Sequence, residues 1–535
     1  MFCPPLRRVA AFLLLTLIAL AGLACALVPP LVQDAARARL AELPAALAGH
    51  GVALEPPEVE SVNFSLLSRE LALGNVRLAG KLVKGDGQGS RGSFLATAED
   101  ISARLTIRAV LLATPLGRFL LPEGRPGAEL IPVAESLNAR ELTASTAEPA
   151  LAMTLSATDA AAHDVAVDGA LLRGLLTGER LPTGPDVIDW LYAFAAADFR
   201  LTGIALTLDA PATGESLSAS CAEARMRGLS RRHLAEQEAR DIRCALPDGQ
   251  AISIASLGEE AIALPEKALL RPLAEELARP EVSEARLQAA LKTALSGPEP
   301  LVGRAVLTGL VMPIADAPAG SALKLERATL AWRGVTPLDQ ELSLEGLSLP
   351  TAALTQEAGI VLAGLPTLSL NAGLAVRGTG AGAAAPEHYS GNLAARGLCS
   401  LAYAFTLDPQ GYAAELAMLR GTYSGASLEY TDDGLLPRLA AGFMPSPEAA
   451  MMALKVGLAR FCSVPTPENA ALRDALETFV ERPGTLSLKA RKPFNLLEAI
   501  VTVGEGNAGA LMDASAVAGP FTLGEAMREI EGRGR

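Results

Sequence analysis

Aromatic side chains are scarce in this chain: of 535 residues, Phe, Tyr and Trp together make up 4%, and only two are Trp. A core of any size must therefore be assembled from Ala, Leu and Val. Positive charge is also short. Lys and Arg number 46 against 59 Asp and Glu, a formal net charge of −13. That balance excludes a nucleic-acid partner, whose phosphates need a basic face, and disfavours a polybasic membrane site. Long single-sign charge runs are missing, so the charges read as a solvated surface. Histidine is rarer still: His50, His163, His233 and His388 stand far apart, none with a metal-ligand partner at helical or knuckle spacing.

Catalytic signatures are missing as well. No G-x-S-x-G elbow, Walker A loop or H-E-x-x-H helix occurs. Gly87-x-Gly89-x-x-Gly92 matches a dinucleotide fingerprint in letters only, because it sits in a polar loop with no strand before it and no helix after it. Asp432-Asp433-Gly434 reads as a turn, since no EF-hand spacing continues from it. Asp186 and Asp189 follow Pro185 as charges at a helix start. The residues thus assign no catalytic, cofactor or metal site, and a non-enzyme is expected.

What the chain does have is an eight-residue phrase, apolar-x-apolar-x-[Gly/Asn]-apolar-x-apolar. It appears at 71–78, 199–206, 305–312 and 342–349, with a looser copy at 224–231. Strand side chains alternate between faces, so Leu71 and Leu73 share one face while Val76 and Leu78 fall out of phase. An extra residue at Asn75, Gly203, Gly309 or Gly346 restores the phase as a β-bulge, and Gly or Asn tolerates that backbone best. The expectation is a run of long, bulged, bent strands with one apolar face. Its candidate lining is Leu71, Leu73, Val76 and Leu78, then Leu201, Ile204 and Leu206, then Leu342, Leu344 and Leu347. If the strands curl into a trough, that lining needs a lipid chain or a partner helix to cover it; the alternative is a closed core.

Arg7 and Arg8 precede Val9–Val28, twenty residues without a charge, ended by Pro29 and Pro30. A helix of that length spans a bilayer, with a cytoplasmic N-terminus. Ala24-Cys25-Ala26 also fits a signal-peptide cleavage site. Length and the amphipathic stretch that follows favour an uncleaved anchor. Cys25 raises a lipoprotein reading, against which Gly22 stands where a bulky aliphatic belongs. All three export residues 30–535. Cys3 and Cys25 lie in the leader; Cys221, Cys244, Cys399 and Cys462 lie where disulfides persist. A hairpin centred near Arg232–His233 sets Cys221 opposite Cys244 as a candidate disulfide, with two buried thiols as the alternative. Cys399–Cys462 is paired only by elimination.

Along the chain, 31–48 reads as a helix that Pro44 interrupts or kinks. Strands follow from 51 to 80 and over 97–107, with 108–121 helical and 138–180 β-rich. A helix at 186–197 leads into a strand at 199–208. Residues 265–296 read as two helices broken at Pro280. Further expectations are strands over 301–430, helices over 434–460 and 467–480, a strand at 484–491, and a helical end at 523–535. The fold class is α+β: one N-terminal transmembrane helix, then long, bulged, mainly antiparallel β-sheet repeats with inserted helices. The expected division is an anchor at 1–30, β-rich regions at 31–260 and 301–433, a helical seam at 261–300, and a mixed C-terminal region at 434–535.

The spanning segment, the short helix and the run VNFSLLSRELALGNVRL at 62–78 resemble the start of AsmA-like proteins of the Gram-negative envelope. The exported proteins of domain-of-unknown-function 945 have a similar layout. The resemblance is closest over residues 7–80 and extends loosely to 349; 434–535 carries no motif of that family. It implies an inner-membrane, periplasm-facing, non-catalytic protein of repeating β-groove type, in contact with phospholipid or with other envelope proteins. It carries over no catalytic residue and no cofactor. A closed-core scaffold is the second expectation, and a periplasmic hydrolase the least favoured.

Overall fold

The computed structural model describes residues 28–38, 40–42, 44, 52–83, 90–112, 129–147, 152–169, 192–210, 215–246, 249–277, 283–294, 301–314, 317–318, 320–335, 338–354, 361–362, 364–379, 385–412 and 414–533. The expected spanning segment up to residue 27, the loop at 84–89, residues 186–191 and Pro280 lie outside these. Residues 28–38 and 40–42 are helical. Among the described residues, no helix is long and apolar enough to cross a membrane.

The chain divides into two compact units, residues 1–250 with 258–297, and residues 251–257 with 298–535. The first contains β1 (Val52–Leu54), β2 (Glu58–Ser65), β3 (Glu70–Val83), β4 (Ser90–Leu105), β5 (Leu130–Ala147), β6 (Ala152–Asp168), β7 (Phe194–Ala210), β8 (Glu215–Ser230) and β9 (His233–Ala245). Its helices are α1 (Ile107–Leu112), α2 (Lys267–Leu277) and α3 (Glu284–Ala294). Strand β10 (Ala251–Ala263) is shared out between the units at residue 258. The second unit holds β11 (Val302–Pro313), β12 (Ala322–Val335), β13 (Leu338–Pro350), β14 (Thr367–Gly378), β15 (Glu387–Ala395), β16 (Cys399–Asp408), β17 (Thr422–Asp432), β18 (Thr485–Ala490) and β19 (Met512–Val517). Its helices are α4 (Ala414–Arg420), α5 (Leu435–Phe443), α6 (Pro447–Phe461), α7 (Pro467–Glu481), α8 (Leu496–Gly504) and α9 (Leu523–Arg533).

From β2 to β9, and again from β11 to β19, each strand pairs antiparallel with the next in sequence. The fold is mainly antiparallel sheet with helices added, as expected. The expected helix at 186–197 is corrected over its last residues, since Phe194–Ala197 already opens strand β7. There, pairing of Ala195 with Ala166 and of Ala196 with Leu229 overrides local helix propensity. The helical region expected over 434–460 consists of α5 and α6. Ser446 accepts from the Ala449 N–H (3.2 Å) and caps the second, with Pro447 at its first position.

All four repeat phrases turn at the expected residue. Asn75 has φ 47°, Gly203 59°, Gly309 61° and Gly346 64°, and Gly228 of the looser copy has 66°. At Gly346 the distortion is a bulge of the expected kind: Leu344 pairs with Ala372, but Leu347 pairs with Leu370. At Asn75 and Gly203 the register continues unbroken on both sides. The neighbouring strands change phase at the same level, so no residue is left over. In the first unit these levels line up. Asn75, Glu141 (φ 48°), Gly203 and Asp241 (φ 53°) sit on alternate strands, facing Glu99, Thr158 and Ala222 on the strands between them. The sheet is creased along a line across its strands. A Cβ at Gly203 would collide with the Thr158 hydroxyl, so this crease position needs glycine for space as well as for φ.

The crease keeps one face apolar from end to end. Below it, Leu73, Ile101, Ala139, Ala160, Leu201 and Ala224 are directly paired in a row. Above it, Leu78, Ala96, Ala144, Leu155, Leu206 and Ala219 form another. The adjacent row, Arg77–Thr97–Thr143–Ser156, points to the opposite face and is polar. That opposite face is laced with ion pairs, among them Arg200–Glu223 (2.7 Å) and Arg225–Asp198 (2.6 Å). The Arg225 hydrogen bond holds the Asp198 carboxyl below its ordinary pKa. Such partly exposed pairs contribute little each.

Candidate functional site: an apolar sheet face

In the second unit the same logic gives two apolar rows. Leu330, Leu342, Leu374, Gly391, Tyr403 and Leu428 pair in succession across β12 to β17. So do Ala328, Leu344, Ala372, Leu393, Leu401 and Tyr430. The alternating row Ser343–Gly373–Asn392–Ala402–Glu429 is mostly polar and faces the other way. Over β12 to β15 part of the apolar side stays open: Leu330, Leu342, Leu374 and Leu393 are each between 37% and 39% exposed, while Leu325, Val376 and Ala395 are buried. A lone exposed leucine is ordinary on a protein surface, but Leu330, Leu342 and Leu374 pair in succession, with Leu393 on the neighbouring row, and form a continuous strip.

Over β17 to β19 the same face is covered. Helix α7 packs Phe479 and Val480 against Leu486, and Leu472 into a cluster with Leu488, Met512 and Ala514. The helix starts where Thr466 accepts from the Asn469 N–H (3.2 Å), with Pro467 at its first position. Asn469 is 1% exposed and fully used. Its amide donates to Val464 O (2.7 Å) and Gly506 O (3.1 Å), and its carbonyl accepts from the Gly509 N–H (2.7 Å). A buried amide with these bonds made latches α7 to the turn after α8.

The open strip and the covered end meet at an aromatic ladder. Tyr389 stacks on Phe405 with centroids 5.0 Å apart, Phe405 lies 5.4 Å from Tyr423, and Tyr423 stacks on Phe494 at 5.7 Å. Backbone bonds from Tyr423 N–H to Phe494 O (2.7 Å) and from Phe494 N–H to Tyr423 O (3.0 Å) hold the last pair together. Tyr423 also donates its hydroxyl to Met418 O (2.7 Å). Burial, and then the Glu387 carboxylate that accepts its hydroxyl, push the Tyr389 pKa up. Beside the ladder, under α8, is a cavity of about 430 Å³.

Every candidate lining residue falls on an apolar row or its continuation. Leu73 and Leu201 share one row, and Leu78 and Leu206 another. Leu71 packs toward the buried cluster of Val32, Phe64 and Val110, and Val76 is itself buried. Ile204 pairs with Cys221. Leu342 and Leu344 lie on the two rows of the second unit, and Leu347 follows them beyond the bulge. Each set belongs to its own unit.

The cysteine pairing comes out differently. The β8–β9 register pairs Ser230 with His233 and sets Cys244 opposite Ala219, two residues from the expected partner. The tight turn at Arg231 (φ 52°) moves the hairpin centre by one residue and the partner by two. Diagonal strand neighbours are too far apart for a disulfide. Cys221, Cys244, Cys399 and Cys462 are all free thiols, and Cys221 donates to Glu223 O (3.1 Å). Cys399 and Cys462 are buried in separate clusters, and burial raises both pKa values.

The turn read at Asp432-Asp433-Gly434 is a cap for α5. Asp432 Oδ1 accepts from the Leu436 N–H (2.8 Å) and the Tyr430 hydroxyl (3.0 Å). Among the described residues no group of His, Cys, Asp and Glu is arranged to hold a metal. The helix expected over 467–480 is present as α7, whereas the aromatic ladder and helix α8 are not foreseen, although five of the six tyrosines fall between 389 and 430. The chain matches no family model, no curated protein and no solved structure.

Proposed function

We propose that this chain is a non-catalytic protein, anchored in the bacterial inner membrane by a single span, whose periplasmic sheet binds or conveys phospholipid in envelope biogenesis. One observation carries the reading: Leu330, Leu342 and Leu374, paired in succession, and Leu393 on the neighbouring row stay more than a third exposed on one sheet face. Leaving that much aliphatic surface in water costs about 25 cal/mol per Å². Acyl chains would remove that cost, with no side chain needed to react. The resemblance to AsmA-like proteins supplies the location and the class of ligand.

A scaffolding role is the second reading. It rests on Met452 and Phe443, 71% and 58% exposed on α6 and α5, which would suit a protein partner.

The test is native mass spectrometry with lipid extraction on the full-length protein. Phospholipid is expected to co-purify at a reproducible ratio, and to be lost in a folded Leu342→Glu, Leu374→Glu double variant. Folded wild-type protein free of lipid would overturn the reading and favour the scaffold.

A further inference from the structure

The cavity under α8 lies at one end of the leucine strip, partly roofed by that helix. Its floor is the apolar face of β16 to β18, with Tyr403, Phe405 and Leu488. Phe494 and Ala499, from α8 and the segment before it, form the roof, and Met512 of β19 closes one side. At about 430 Å³ it falls within the range of small-molecule sites, roughly 300–1,000 Å³.

Two features define what fits. The first is the approach. The row Leu330–Leu342–Leu374 reaches the cavity through Gly391 and Tyr403. Gly391 has no side chain, and a Cβ there would lie 2.6 Å from the Tyr403 ring and hydroxyl, so the ring lies across it. A linear aliphatic strip thus runs to an aromatic lip and then under a helix.

The second feature is the missing counter-charge. Lys489 borders the cavity, but it pairs with Ser427 and Asp513 in a polar row and alternates with Leu488, which supplies the floor. Its ammonium is therefore on the other face of the sheet. Apart from Lys489, the residues lining the cavity are uncharged.

We propose that this cavity seats the methyl end of a linear acyl chain, with the chain lying along the leucine strip and its polar head outside. The inference rests on the reading that this sheet face binds lipid, and it adds a direction and a stop. A free fatty acid and a phospholipid present the same chain chemistry.

Photolabelling of the full-length protein tests it. The probes are palmitic acid with a diazirine at the methyl end, its isomer with the diazirine beside the carboxyl, and a phosphatidylethanolamine carrying the methyl-end chain. The methyl-end probes are expected to label peptides containing Phe494 and Met512, and the carboxyl-end isomer to label the strip or nothing. Whichever methyl-end probe labels more strongly identifies the source of the chain. Ala426→Trp, which fills the cavity from β17, is expected to weaken methyl-end labelling there about tenfold, equivalent to ~1.4 kcal/mol, with strip labelling unchanged. If that variant does not fold, Ala499→Trp fills the same space from α8. Labelling of the strip with none at Phe494 or Met512 would overturn the cavity as the methyl-end seat and leave the lipid-binding face standing. No labelling at either place would overturn both.

Discussion

Strands β12–β15 and strands β17–β19 carry the same apolar rows and end in different surroundings. Leu330, Leu342 and Leu374 are left more than a third exposed, whereas Leu486, a few strands along the same face, is 8% exposed beneath α7. Alternation decides which face is apolar, and it does so equally in both regions. Whether that face becomes core depends on helix α7, which lies between β17 and β18 in the chain, and on Asn469, which fixes it in place. One region buries its apolar rows and the other leaves part of them in water.

The largest test of that contrast is a pair of truncations. Leu472→Ala, at a side chain 2% exposed in the α7 cluster, is expected to cost about 3 kcal/mol, with a cavity left behind. Leu374→Ala, on the open strip, is expected to cost less, about 1–2 kcal/mol, because more than a third of its surface is already in water. Urea denaturation of the two variants measures both. Equal losses would mean that the open strip is covered in solution, and the distinction would fail.

The crease offers the next test. Gly203→Ala places a side chain at φ 59° and against the Thr158 hydroxyl, and is expected to cost about 2 kcal/mol. Asn75→Gly, on the same line but already tolerating φ 47°, is expected to stay within about 0.5 kcal/mol of the parent. Thermal melts of the pair would show whether the crease is held by glycine at particular strands. If Gly203→Ala melts like the parent, the line of positive φ is not a constraint on the sheet.

The positions of the crease are legible in the sequence, because a phase error in apolar alternation must be absorbed at one residue, whether by a bulge or without one. Asn75, Gly203, Gly309 and Gly346 each follow from that argument, and each has positive φ. What a single strand cannot reveal is that its neighbours change phase at the same level; Glu99, Thr158 and Ala222 carry no letter that marks it. The Cys221–Cys244 pairing fails for a related reason. Register depends on the turn, and placing the turn at Arg231–Arg232 shifts Cys244 onto Ala219. The covered end is least legible. Strand β19 and helix α8 escape a reading of the sequence because their apolar patterns, MDASAV and LLEAIVTVG, are short and acquire meaning only against α7.

A smaller effect concerns the junction at which β17 turns into α5. Asp432 is buried, its Oδ1 is used twice, and its Oδ2 has no hydrogen-bond partner among the described residues. Burial raises its pKa above the ordinary 3.8, with the hydrogen bond from Leu436 N–H opposing that rise most strongly. The folded state therefore binds this proton more tightly than the unfolded chain. The resulting stabilisation is fully present below the unfolded pKa, about 3.9, and is lost as pH rises through the raised folded value. Asp432→Asn keeps the acceptor for Leu436 and Tyr430 and carries no charge at any pH. The difference in stability between parent and variant, followed by denaturation from acid to neutral pH, is expected to move in the variant's favour as pH rises. The depressed carboxyls at Asp198, Glu448 and Glu525 act in the opposite sense, but they are common to both proteins and cancel in the difference. A difference independent of pH would mean that water reaches Asp432, and that the covered end is less closed than its contrast with the strip requires.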